Sequence, residues 1–124
     1  MLIGDFARAT GLSVYTIRFY EKIGLIPPAP RDGGGRRVYS DASLGWMRFL
    51  EQLNATGMKQ SDRVRYATLR LKGDETYTER RQMLEEHYAK IQADMVRLEK
   101  TSELMQRKIA LYKNLEAEQD LKNE

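Results

Sequence analysis

Residues 3–24 read IGDFARATGLSVYTIRFYEKIG, and their spacing decides the fold. Apolar Ile3, Phe6 and Ala7 share one face of a short helix, and Gly11 ends it, because glycine readily takes the left-handed conformation that closes a helix. Ser13 offers a side-chain oxygen to cap a second helix through Val14, Ile17 and Tyr20 to Gly24. Two short helices that meet across about four residues form a helix-turn-helix, whose second helix is placed to enter a DNA major groove.

Downstream, Pro27, Pro28 and Pro30 stop any helix, and Gly33, Gly34 and Gly35 supply the positive backbone dihedrals of a tight turn. The expectation is a small β-hairpin wing with its arginines just after the tip. Along its second strand Arg37 and Tyr39 share one face while Arg36 and Val38 share the other. Arg31 and the glycines shape or decorate the tip. Ser40 caps a third helix in which Leu44, Met47, Phe49, Leu50 and Leu53 form a buried stripe, closed by Thr56 and Gly57. A fourth helix runs roughly from Ser61 to Lys72 and ends at Gly73 and Asp74.

From Glu75 onward the chain contains no Gly or Pro. There Leu84, Tyr88, Ile91, Met95, Leu98, Ser102, Met105, Ile109 and Tyr112 recur in alternating steps of four and three, the 3.5-residue period of a coiled coil. At 1.5 Å per residue that seam is about 40 Å long. One narrow apolar face needs a partner helix, and the simplest source is a second copy of the chain. The expected fold is mainly α: a winged helix-turn-helix head with accessory helices over residues 1–74, and a dimerisation coiled-coil helix with a short tail over residues 75–124.

Composition limits the function. A chain of 124 residues makes one domain, or one small domain with a long appendage, too little for a multidomain enzyme. Zero cysteines exclude disulfides, thiolate metal sites and cysteine nucleophiles. No stretch approaches the ~20 consecutive apolar residues of a membrane span, and the first residues lack a signal-peptide layout, so the chain reads as cytoplasmic. The net charge of +3 conceals an asymmetry. Residues 1–74 carry 12 Lys and Arg against 7 Asp and Glu, or +5; residues 75–124 carry 9 against 11, or −2. The head is therefore the candidate for an anionic partner, nucleic acid first.

The candidate DNA-contacting residues are Thr10 and Ser13 at the turn, Tyr15, Thr16, Arg18, Tyr20 and Lys22 on the second helix, and Arg36, Arg37 and Tyr39 on the wing. Arginine reads guanine or neutralises phosphate, and Tyr and Thr hydroxyls suit phosphate oxygens. Charges on an arbitrary short helix more often form a solvated face. Here the preceding turn and the following basic wing favour the contact reading. Tyr39 has two readings of equal weight, a phosphate contact or a packing residue that seats the wing on the second helix. The candidate dimerisation residues are Leu84, Tyr88, Ile91, Met95, Leu98, Met105, Ile109 and Tyr112. No catalytic site, cofactor or metal is expected: the single histidine, His87, has no cysteine or second histidine to work with. Gly33 to Gly35 lack the Lys-Ser/Thr and helix start of a phosphate-binding loop.

With these residues in view, the chain resembles the MerR family of bacterial transcription regulators. The matching segments are Ile3-Gly4-Asp5-Phe6-Ala7, Thr10-Gly11-Leu12-Ser13, Thr16-Ile17-Arg18-Phe19-Tyr20-Glu21, Ile23-Gly24-Leu25-Ile26, Arg36-Arg37-Val38-Tyr39-Ser40 and Leu53-Asn54-Ala55-Thr56-Gly57-Met58. Gly73 through Arg81, with Met83, Leu84 and His87, resembles the branch linked to aldehyde or electrophile responses. The resemblance implies a homodimer joined by antiparallel C-terminal helices. Its two heads would bind double-stranded promoter DNA at a pseudo-palindromic operator and distort it for RNA polymerase. It carries Arg18 and Arg37 over as backbone or base contacts, with Tyr20 and Tyr39 supporting them. The chain departs from the family at four positions. Phe19 stands for a usual tyrosine, Gln52 stands where that branch commonly has a cysteine, and Gln60 and Arg63 stand where relatives usually place apolar residues. With no thiol, sensing by thiol modification cannot operate. An architectural DNA-bending factor without an effector, similar to the excisionases, is the alternative.

Overall fold

The computed structural model describes residues 1–123; Glu124, the last residue of the expected pairing segment, lies outside the described residues. Five α-helices follow in order: α1 Ile3–Thr10, α2 Val14–Lys22, α3 Asp41–Ala55, α4 Gln60–Lys72 and, after a 3₁₀ turn at Asp74–Thr76, α5 Tyr77–Lys122. Two compact units are present, Met1–Leu84 and the residues from Glu85 onward.

In the first unit the helix ends fall where local chemistry puts them. Gly11, with φ of 74°, closes α1 by donating its N–H to the Ala7 carbonyl. Ser13 caps α2, its Oγ accepting from the Thr16 amide at 3.0 Å. At the other end the Leu25 amide reaches back to the Tyr20 carbonyl at 2.9 Å and Gly24 to Glu21 at 3.3 Å, the paired bonds of a Schellman motif. Ser40 caps α3 through the Ser43 amide at 3.1 Å. α3 ends as α2 does, with Met58 bonded to Leu53 and Gly57 to Asn54.

Phe6, Ile17, Leu25, Met47 and Leu50 are fully buried and bring α1, α2 and α3 onto one core. The expected stripe on α3 is corrected at two positions. Phe49 is partly exposed, and Trp46, which the stripe left out, is buried. Its indole N–H donates to the Leu25 carbonyl at 3.0 Å. Tyr66 of α4 stacks on the indole with ring centroids 5.8 Å apart, and the Arg70 guanidinium lies 4.3 Å from the indole centroid. Indole therefore joins the helix-turn-helix to both accessory helices, satisfying its polar edge as burial requires. Arg63 on α4 is also buried, at 5% exposure, and its Nε and Nη1 have no hydrogen-bond partner among the described residues. Gln60 beside it is exposed.

The wing differs from a regular hairpin. Among the described residues it contains a single antiparallel bridge, Arg31 to Arg37, rather than two strands. The adjoining segment holds Pro27, Pro28 and Pro30, which have no N–H to extend a ladder. Of the three tip glycines only Gly35 takes a positive φ, 81°. Asp32 organises the loop instead: its Oδ1 accepts the Gly34 and Arg36 amides, both at 2.9 Å.

Most of α5 lies in the second unit and holds the positions of the predicted seam. Tyr88, Met95, Leu98, Met105, Ile109 and Tyr112 are exposed and Ile91 is half-buried; Leu84, at the end of the first unit, is half-buried too. Leu104, Leu111 and Leu115 are further exposed apolar positions on the same helix.

Candidate nucleic-acid interface

The turn residues serve the backbone first. Thr10 donates its hydroxyl to the Phe6 carbonyl at 2.9 Å and accepts the Leu12 amide at 3.3 Å, which fixes the turn between α1 and α2. Ser13 is committed to its cap, and its Oγ lies 2.9 Å from the Thr16 Oγ1. Tyr20 is half-buried and packs against the core. These four residues shape α2 and the turn that leads into it.

Tyr15, Arg18 and Lys22 are the outward-facing members of the set. Spaced by three and then four residues, they share one face of α2, away from buried Ile17. Tyr15 is 80% exposed. Arg18 has no ion-pair partner among the described residues.

The wing comes to the same side as α2. As the alternation predicts, Arg37 and Tyr39 point together, and both meet one carboxylate, Glu21 of α2: the Tyr39 hydroxyl donates to Oε1 and Arg37 pairs with Oε2. The other pair, Arg36 and Val38, is exposed. Tyr39 itself is buried, its ring stacked on Phe6 at a centroid distance of 4.4 Å. Burial pushes its phenol above the ordinary value of 10.0, with Arg37 and Arg18 pulling the other way, so it remains a protonated donor near neutral pH. Of the two readings of Tyr39, this geometry favours packing.

Between the start of α1, α2 and the wing lies an open cleft of about 860 Å³. Its lining includes Arg8, Arg18, Lys22, Arg31, Arg36 and Arg37 against only Asp5 and Glu21. Sequence reasoning missed Arg8 and placed Arg31 at the tip alone. Arg31 reaches back across the loop, donating to the Gly35 carbonyl at 2.7 Å, and Arg8 pairs with Asp5 one turn earlier. Glu21 was also missed. The available signal was a lone acid on a helix otherwise furnished with Arg18 and Lys22. Among the described residues no group of three or more His, Cys, Asp or Glu could hold a metal, and no helix is long and apolar enough to cross a membrane.

Residues 2–39, which contain both the helix pair and the wing, match the model of the MerR family regulatory protein. An uncharacterized HTH-type transcriptional regulator of Haemophilus influenzae is 35% identical over 111 residues, covering 90% of this chain and 82% of that one. The chain belongs to the MerR family of transcriptional regulators. Among solved structures, the MerR-family regulator HiNmlR, described as lacking the sensor domain and bound to promoter DNA, aligns at a TM-score of 0.85 and 34% identity over 94% of this chain and 92% of that one. A MerR-family regulator from Listeria monocytogenes aligns at 0.89 with 27% identity over 99% and 95%. Against AdhR of Bacillus subtilis, 34% identical, this MerR-family chain spans 60% of the relative's length. Its DNA-binding helix-turn-helix is the α1–α2 pair. The positions Arg36, Arg37 and Tyr39, which sequence reasoning put on a β-strand, occupy the singly bridged loop described above.

Proposed function

We propose that this chain binds promoter DNA as a homodimer. Two copies pair antiparallel through the α5 seam and present two heads to a pseudo-palindromic operator, distorting it for RNA polymerase. In this reading residues 1–74 read DNA and residues 75–124 pair the chains. The observation that carries it is the cleft: six cationic side chains from α1, α2 and the wing line it against two carboxylates, where a phosphodiester strand would run as α2 enters the major groove. Tyr15, Arg18 and Lys22 face the groove, Arg36 with Arg37 faces the neighbouring backbone, and Thr10, Ser13, Thr16, Tyr20 and Tyr39 set their positions. The crystal structure of HiNmlR on promoter DNA supports the choice of ligand. Distortion of the operator would let the deformability of the duplex carry part of the specificity.

Sequencing DNA recovered with the protein, followed by footprinting, tests this. A pair of protected half-sites is expected, with selectivity of about 10³ or more over bulk DNA and affinity that falls steeply with salt. Arg18→Ala weakens that binding by about 1–3 kcal/mol and leaves the oligomeric state unchanged. Uniform protection of random DNA at the same concentration would reject the regulator in favour of a non-specific architectural factor.

A further inference from the structure

A carboxylate in a phosphate-binding cleft repels its ligand, so Glu21 needs another reason to be there. Its side chain is 5% exposed and takes two partners from the wing, the Tyr39 hydroxyl and the Arg37 guanidinium. The loop carrying these partners is tied within itself: Asp32 bonds to Arg36 at 2.7 Å, Val38 to Pro30 at 2.8 Å, and Gly35 to Asp32 at 3.0 Å. Its C-terminal end is held at Tyr39, by a main-chain pair with Met1 at 2.6 Å in each direction and by the stack on Phe6, so the placement of the residues before Tyr39 against α2 falls to the Glu21 contacts. The two arginines differ accordingly. Arg37 is 33% exposed and engaged with Glu21, whereas Arg36 is 68% exposed with only a 3.4 Å approach to Asp32 within its own loop.

We infer that Glu21 is a positioning residue that clamps the wing to the reading helix through Arg37 and Tyr39, and that the wing's direct phosphate contact is Arg36. This rests on the DNA-binding reading above and refines it. Arg37, which the family resemblance makes a DNA contact, acts by fixing the separation of wing and helix. Arg36 projects from the loop so positioned and neutralises a phosphate.

The test has two arms. In the free full-length chain, hydrogen exchange of the amides from Asp32 to Val38 is compared between the unaltered protein, Glu21→Gln and Arg37→Ala. Exchange is expected to speed up in both variants at an unchanged far-ultraviolet circular dichroism spectrum, and unchanged exchange overturns the clamp. Should Glu21→Gln fail to fold, Arg37→Lys, which keeps the charge and loses the fork, takes its place with the same criterion. In the second arm, operator affinity is measured across a salt series. A Glu21 that merely opposed DNA would give tighter binding when neutralised. The clamp gives binding weaker by roughly tenfold in Glu21→Gln, the size expected for a lost charge-assisted bond. The double variant Glu21→Gln/Arg37→Ala loses no more than the larger single loss, and additive losses overturn the coupling. Arg36→Ala lowers the slope of log affinity against log salt by about 1.8, one phosphate contact at about 0.9 from each of the two heads, while Arg37→Ala leaves the slope in place. The opposite assignment of slopes makes Arg37 the contact and refutes the inference. If the unaltered protein selects no DNA, the functional reading fails while the exchange arm still judges the clamp.

Discussion

At the scale of single residues, two arginines, one half-buried and one buried, show how differently a charge can be used. Arg37 reaches a carboxylate at the rim of the cleft. Arg63 is buried within the head, and two of its nitrogens have no acceptor among the described residues. An uncompensated guanidinium in the interior is costly, because water is stripped from it without a partner replacing the lost bonds. The straight-chain Arg63→Met removes the charge while keeping much of the volume. It is expected to raise the stability of the chain by about 1–3 kcal/mol, read as a later midpoint in urea with an unchanged slope. A lower midpoint would show that the guanidinium is satisfied in solution and contributes to stability. Trp46 offers the contrast. It is large, buried and polar at one edge, yet its N–H finds the Leu25 carbonyl and its faces meet Tyr66 and Arg70.

Elements were legible wherever the local chemistry of the chain decides them. Gly11, Ser13, Gly24, Ser40, Gly57 and Gly73 mark helix ends that the structure keeps, because caps and left-handed glycines act over four or five residues and need no tertiary partner. The wing was not legible in the same way. Alternation predicted that Arg37 and Tyr39 point together, which they do. It could not predict that pairing would stop at one bridge, since that depends on which opposing amides exist and where they lie. For the same reason Glu21 was invisible as a clamp: its partners are 16 and 18 positions away, joined only by the fold. Trp46 escaped the stripe on α3 because its neighbours, Leu25 and Tyr66, come from other elements. The value of the local signals can be measured. Ser13→Ala removes the oxygen that accepts the Thr16 amide, and about 1 kcal/mol of stability is expected to go with it. Operator binding should weaken as well, because α2 begins with Tyr15 and Thr16 in the turn that this cap holds. A variant with unchanged melting and unchanged affinity would show that the cap is redundant there.

At the scale of the whole molecule the two units place opposite demands on their surroundings. The unit Met1–Leu84 has its own core, gathered around Phe6, Ile17, Leu25, Met47 and Leu50. The unit from Glu85 onward is one helix, and its long apolar side chains, Tyr88, Met95, Leu98, Met105, Ile109 and Tyr112, are all more than half exposed. Burying a side chain of this size is worth about 1.5–3 kcal/mol, so a seam of six in each of two chains greatly favours pairing over hydration. Ser102 is the one polar position of the repeat, and in a paired seam it would mark the register, since a slipped pairing would set it against a different layer. Leu98 lies at the middle of the series from Leu84 to Tyr112, fourteen residues from either end. In an antiparallel pair whose two-fold axis crosses the middle of that series, Leu98 meets its own copy. Leu98→Asp would then bring two carboxylates together inside an apolar seam, each unpaired and each repelling the other. Sedimentation should find the unaltered chain dimeric and this variant monomeric. Its circular dichroism should retain the helices of the head, and its operator affinity should collapse because single heads no longer bind both half-sites at once. A variant that stays dimeric would place the pairing surface elsewhere, with the second series of Leu104, Leu111 and Leu115 the next to substitute.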